Sequence, residues 1–299
     1  MSPADVVFGT PRKLPNPARL RGRVVVLDIA FAGATPDGFE KITAKFLAQL
    51  GDRLALWVDH HDHDKHAEFR DDPRFLLATK AEHGACPEMI TPELVQSAGQ
   101  VDTIVCHSDF DGIASAAKWL LGGHEPYPGA DADAYAIDTR LGTPSETGVY
   151  FDRALRARGN QDDFCRAVLE LLTSRLEDKS ARAIVDRAEQ EFRAIELETL
   201  RAARSYKTYP RRGGGDVAYV DITSGFGRLD KTDLLLHGQK IAQLAVVVDA
   251  QNVALAAPFD SGVNFLELLG LSGGMPTRIS VARKEHDAVM QRLGVDFVR

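Results

Sequence analysis

Four short apolar runs in the first half of the chain each break off at an aspartate or a histidine. They are RVVVLDIA (23–30), RLALWVDHH (53–61), VDTIVCHSDFDG (101–112) and ADAYAIDTR (132–140). Continuous apolar runs, β-branched or aromatic in part, suit strands covered on both faces, as in a parallel sheet. The segments FEKITAKFLAQL (39–50), TPELVQSA (91–98) and IASAAKWLL (113–121) carry helical periodicity between them. This alternation predicts a doubly wound, mostly parallel α/β domain.

In such a sheet, ligands bind beyond the carboxyl ends of the strands. The residues expected there are Asp28, then Asp59, His60 and His61, then His107, Asp109 and Asp111, and last Asp138. A single aspartate at a strand end is ordinary, because it caps the next helix or starts a turn. Four such endings in one domain point to a shared site. The set mixes oxygen and nitrogen donors, which suits Mn²⁺ best, with Mg²⁺ also accommodated, and does not resemble a sulfur-rich structural zinc site. It holds more carboxylates than one divalent ion needs, so two ions are expected. Two ions about 3.5–4 Å apart form the usual clamp for in-line displacement at phosphorus. In HSDFDGIASAA, two carboxylates project from one short loop, Gly112 is expected to ease a tight turn, and the following helix can face an anion. The same stretch also reads as an ordinary capped strand-to-helix turn.

The chain has 299 residues, enough for two domains. It is 44% hydrophobic and 26% charged, ordinary for a soluble globular protein. No window reaches 18 consecutive apolar residues, so no membrane span is expected. The opening MSPADVVFGTPRKLPNP lacks the basic start and apolar core of a secretory signal and reads as an irregular arm. Cys86, Cys106 and Cys165 are odd in number and far apart; they fit a reduced cytoplasm. The net charge is −7, which does not advertise a face for long nucleic acid, although a local basic groove is compatible with it.

From about Tyr150 the texture becomes charged and helically periodic, and ARAIVDRAEQEFRAIELETLRAARSYK reads as one long connecting helix ended by PRRGGGD. A second, smaller α/β segment follows. The expected division is an N-terminal arm over 1–20, a catalytic metal-binding domain over 21–150, a helical region and linker over 151–209, and a C-terminal substrate-binding domain over 210–299.

VDHH at 58–61 together with HSDFDG at 107–112 resembles the DHH phosphoesterase superfamily. That group includes single-strand exonucleases, oligoribonucleases, cyclic-dinucleotide phosphodiesterases and inorganic pyrophosphatases. The resemblance covers roughly 20–145 and extends less clearly to 211–299. Two departures stand out. The Asp-His-His motif here precedes Asp-x-Asp, the reverse of the usual family order, which reads as a permutation of strands. The C-terminal Gly-Gly-His of the family is here Gly273-Gly274-Met275, with Arg278 following. Gly273 and Gly274 could still cradle a phosphate and Arg278 pair with it; a plain glycine turn fits equally. The resemblance implies one ion held by Asp28, His107 and Asp109, and another by His60, Asp111 and Asp138, with Asp28 bridging. It implies that Asp59 orients the first imidazole and that His61 faces the substrate phosphate. The rest of the histidine-rich stretch, Asp62 to His66, reads as a solvated loop; its functional alternative has His63 or His66 binding substrate.

The function expected is two-metal hydrolysis of phosphodiester bonds in short oligonucleotides or linear dinucleotides. The alternatives are a phosphatase acting on 3′-phosphoadenosine 5′-phosphate or pyrophosphate, and a non-catalytic nucleotide sensor. The oligomeric state stays open, a homodimer included.

Overall fold

The computed structural model describes residues 4–33, 37–159, 161–212 and 214–295. The chain divides into two compact units, Met1–Glu191 and Phe192–Arg299. Among the described residues, no helix is long and apolar enough to cross a membrane.

The first unit is built on five parallel strands, β1 (Asp5–Phe8), β2 (Val24–Leu27), β3 (Leu54–Asp59), β5 (Phe75–Leu77) and β6 (Thr103–Cys106), with a two-residue extended segment β4 (Asp62–His63) outside the sheet. Their order is β1-β6-β2-β3-β5. Residues Val24 to Leu27 are all fully buried, as a strand covered on both faces requires. Val24 and Val26 pack with Phe46, Leu50 and Trp57 under α1 (Ala44–Leu50). The opposite face meets α3 (Phe110–Leu120), which lies on β2 and β6. A short helix α2 (Pro92–Ala98) leads into β6.

Two expectations change. The segment read as an irregular arm contains β1, which hydrogen-bonds along β6 and so covers an edge that would otherwise present unpaired backbone groups. The segment 132–140, read as a strand, is instead part of α4 (Ala130–Thr139). Its buried positions include 130, 133, 134 and 137, which follow the helical spacing, and alanine favours that state. Helices α5 (Glu146–Arg158) and α6 (Asp162–Thr173) follow in this unit. The boundary at Glu191 falls inside α7 (Lys179–Ala203), the long helix expected from the sequence.

The second unit is a mixed sheet of β7 (Lys207–Pro210), β8 (Asp216–Asp221), β9 (Leu244–Val248), β10 (Asn252–Ala256) and β12 (Arg278–Ala282), in the order β12-β10-β9-β8-β7. Only β8 and β9 run parallel, joined through α8 (Lys231–Gln239). Leu234, Leu235 and Ala202 pack on one face; Phe265 and Leu269 of α9 (Phe265–Leu269), with Val289 and Met290 of α10 (His286–Arg292), pack on the other. The two-residue β11 (Gly273–Gly274) lies between α9 and β12.

In the first unit the chain runs outward from β2 through β3 to β5, then returns to place β6 on the other side of β2. The switch point is therefore at the ends of β2 and β6, where such sheets bind ligands.

Candidate metal centre

Asp28 follows β2 at this switch point. It is buried and holds a left-handed backbone with φ of 57°. An L-residue other than glycine gives up about 1 kcal/mol to adopt that conformation, a strain of the kind concentrated at functional sites. Its N–H donates to the Val58 carbonyl at 2.9 Å, which fixes the turn against β3.

β3 ends at Asp59, and the two histidines that follow go to different partners. His60 is fully buried, and its Nδ1 is 3.0 Å from the His83 carbonyl, an acceptor only, so Nδ1 carries the hydrogen. That leaves Nε2 facing Asp28 Oδ1 at 3.1 Å, Asp111 Oδ2 at 3.3 Å and Asp138 Oδ2 at 3.8 Å. His61 Nδ1 donates to Asp59 Oδ1 at 2.9 Å. Asp59 was expected to orient the first imidazole; it holds the second, and the His83 carbonyl does the work for His60.

β6 leads to His107, whose Nδ1 is 2.7 Å from Asp109 Oδ2. Asp109 also caps α3, accepting from Gly112 N–H at 3.3 Å. Gly112 lies inside α3, so a tight turn is not what it provides. A Cβ there would fall 2.6 Å from the His107 carbonyl oxygen, so the residue permits close approach of helix and strand end. Asp111, in the first turn of α3, is buried. Asp138 comes from α4, not from a strand end, and reaches the same place.

Lys80 was not anticipated. It follows β5, is 3% exposed, lies with Nζ 3.1 Å from His60 Nε2, and forms an ion pair with Asp138. A lone lysine in a polar loop has no pattern that separates it from a solvated one, and the His83 carbonyl, being backbone, carries no side-chain signal.

The protonation pattern reflects the crowding. Burial, then Asp111 and Asp109, push Asp28 well above the usual carboxylate range. Burial and Lys80 push His60 down, but the carboxylates of Asp111 and Asp28 prevail and raise it to about 10. Burial likewise lowers His107, and Asp109 outweighs it, giving about 10. Burial opposes ionisation of Asp111 and of Asp59, yet His60 holds the first below its ordinary value and His61 the second. His61 stays below the ordinary histidine value because burial outweighs the pull of Asp59.

The donor set fits a divalent cation. Both Asp28 oxygens, Asp59 Oδ2 and Asp111 Oδ2 are buried without a hydrogen bond of proper geometry. Carboxylate oxygens in that state are costly and call for positive charge. Ligand atoms of Asp28, His107 and Asp109 lie within 4.8 Å of one another, as do those of His60, Asp111 and Asp138, and those of Asp28, His60 and His61. Mixed carboxylate and imidazole donors suit Mn²⁺ or Mg²⁺.

His63 and His66 do not form a solvated loop. His63 is buried, its ring centroid 5.6 Å from that of Phe31, and His66 is 5.3 Å from the same ring. His63 Nδ1 accepts from Lys65 N–H and so caps the turn that follows. Burial lowers both histidines below their ordinary value.

Gly273, Gly274 and Arg278 belong to the second unit. Gly273 is buried, Gly274 adopts φ of 131°, and Arg278 Nη2 donates to Thr232 Oγ1 at 2.8 Å.

No protein-family model matches the chain, and no curated protein matches it. Among solved structures, the chain is similar to the exonuclease RecJ bound to manganese, at 12% identity and a TM-score of 0.46, over 91% of this chain and 74% of that one. It is also similar to the DHH domain of a protein described as a member of the s1p family of ribosomal proteins, at 13% identity and a TM-score of 0.49, over 91% of this chain and 68% of that one.

Proposed function

We propose that the chain is a divalent-metal-dependent phosphodiesterase that hydrolyses short oligonucleotides or linear dinucleotides. The observation that carries this reading is the convergence of Asp28, His60, His107, Asp109, Asp111 and Asp138 at the switch point of a parallel sheet, around buried carboxylate oxygens that lack a hydrogen bond of proper geometry. The residues that would hold metal are Asp28, His107 and Asp109, with His60, Asp111 and Asp138 forming a second cation position. A divalent ion bound there supplies Lewis-acid charge that activates water and offsets the charge developing at phosphorus.

The chain's own residues do the rest. His83 fixes the His60 tautomer, so its Nε2 faces the carboxylates. Asp59 fixes His61 with hydrogen on Nδ1, which makes Nε2 the atom that can take or give a proton. Held below the usual histidine value, His61 starts as the neutral base. The acidic balance of −7 favours a short substrate over a long strand, whose binding needs many basic contacts.

The test is Mn²⁺-dependent hydrolysis of a 5′-phosphorylated RNA dinucleotide, long single-stranded DNA, 3′-phosphoadenosine 5′-phosphate and pyrophosphate, side by side. Release of mononucleotides from the dinucleotide, faster than any other conversion, is expected. Preference for the bisphosphate or pyrophosphate makes the enzyme a phosphatase, and inertness toward all four with Mn²⁺ bound removes the hydrolase reading.

A further inference from the structure

The Lys80 ammonium sits among the same groups that form one of the two cation positions. Its Nζ is 3.1 Å from His60 Nε2 and paired with Asp138, two of the three residues of the His60, Asp111 and Asp138 cluster. The side chain is almost wholly enclosed, at 3% exposure. An enclosed ammonium and a divalent ion competing for the same ligand atoms repel strongly in a desolvated setting.

The loop that carries Lys80 is fixed. Ala78 N–H donates to the Asp59 carbonyl at 2.9 Å, tying the loop to the end of β3. Thr79 N–H and Oγ1 donate to the Glu82 carboxylate at 2.8 and 2.9 Å, and the Glu82 and His83 N–H groups return to the Thr79 carbonyl, each at 3.0 Å. The same turn supplies the His83 carbonyl that holds His60 Nδ1. One loop therefore meets both ring nitrogens of His60, one with a carbonyl and the other with an ammonium. The second cluster differs: among the described residues, no lysine or arginine forms an ion pair with Asp28 or Asp109, whose partners are histidines.

We propose that Lys80 permanently fills the cation position formed by His60, Asp111 and Asp138, so that the protein holds a single divalent ion, at Asp28, His107 and Asp109. This rests on the metal-dependent reading above and changes its expected stoichiometry from two ions to one. The Lys80 amine, whose pKa burial lowers and the surrounding carboxylates, Asp111 first, raise, pairs with Asp138 where a second metal would bind, and no chelator can remove it.

Native mass spectrometry and electron paramagnetic resonance of the full chain with Mn²⁺ test it. Wild type is expected to bind one Mn²⁺ with the spectrum of an isolated ion. Lys80→Met is expected to bind two, with the exchange-coupled spectrum of neighbouring ions. In the wild-type background, Asp109→Asn should abolish binding of the single ion, and Asp138→Asn should leave it; this pair decides the matter even if Lys80→Met does not fold. Two coupled ions in wild type, one ion in a folded Lys80→Met protein, or loss of the ion in Asp138→Asn but not Asp109→Asn overturns the lysine assignment and leaves the metal-dependent reading standing. No bound Mn²⁺ in wild type overturns both.

Discussion

The Asp59 carboxylate accepts a hydrogen bond from His61 Nδ1 across 2.9 Å, not from the neighbouring His60. Asp59 is fully buried, so this bond is its main compensation for leaving water, and it commits His61 to one tautomer. In Asp59→Asn the amide can donate to Nδ1 and move the hydrogen to Nε2. Outer groups of this kind are worth about 10–100-fold in activity or metal affinity. The expected result is a loss of turnover in that range with the circular dichroism spectrum unchanged; full activity would show that the tautomer of His61 is immaterial.

Asp28 carries a buried carboxylate, facing His60 and His61, whose ionisation burial and its acidic neighbours oppose. Asparagine tolerates the left-handed backbone that Asp28 adopts, so Asp28→Asn removes charge without adding strain. In chelator, its melting temperature should equal or exceed that of wild type. Saturating Mn²⁺ should stabilise wild type by about 2.7 kcal/mol at a hundred times Kd, and should do little for the variant. Thermal scans of both proteins with and without Mn²⁺ read this directly, and an equal metal-induced rise in the two would remove Asp28 from the ligand set.

Asp133 organises the helices that deliver Asp138. It is buried and accepts from Tyr127 Oη at 2.9 Å and from Ser145 N–H and Oγ, each at 2.6 Å. Asp133→Ala leaves three donors without their acceptor and should cost about 3 kcal/mol. Gly148→Ala perturbs the same place from the other side, since its Cβ would come 2.6 Å from the Asp133 carboxyl carbon. Urea denaturation of both variants measures the loss; a change within error would show that α4 and α5 are held by their apolar contacts alone.

The thiols set an alkaline limit. Burial, with nearby carboxylates, pushes Cys86 and Cys106 well above the usual thiol value and Cys165 up to about 12. An unfolded thiol ionises near 8.5. A folded-state value above the unfolded one means that the unfolded chain releases protons first. The contribution is thus fully present below about pH 8.5 and lost as pH rises toward 12. The urea midpoint should fall between pH 8 and pH 10. A thiol reagent at pH 8 should find none of the three cysteines in the native protein and all of them in denaturant. Fast labelling of the native protein would contradict this burial.

Much of the first unit was legible because β2, β3 and β6 are unbroken apolar runs, which leave little choice but a strand covered on both sides. Their endings were legible for the same reason: a run that stops at Asp28, at Asp59-His60-His61 or at His107 marks a strand end, and strand ends in a parallel sheet share one rim. The unusual order of the motifs along the chain did not obscure this, since a sheet brings strand ends together in space whatever their sequence order. Asp138 is expected on a strand because ADAYAIDTR reads as a mostly apolar run that ends in an aspartate. The segment is helical, and buried positions 130, 133, 134 and 137 among its six show the helical period.

Local patterning thus determined the parallel strands, their intervening helices and the identity of the residues gathered at their ends, because burial on two faces restricts the residue types along each run. Tertiary structure alone decided which histidine Asp59 holds, that His63 and His66 pack against Phe31, and that Lys80 enters the carboxylate cluster. Each of those outcomes depends on which segments, distant in the chain, close around a polar side chain and remove it from water, and a sequence run carries no record of such enclosure.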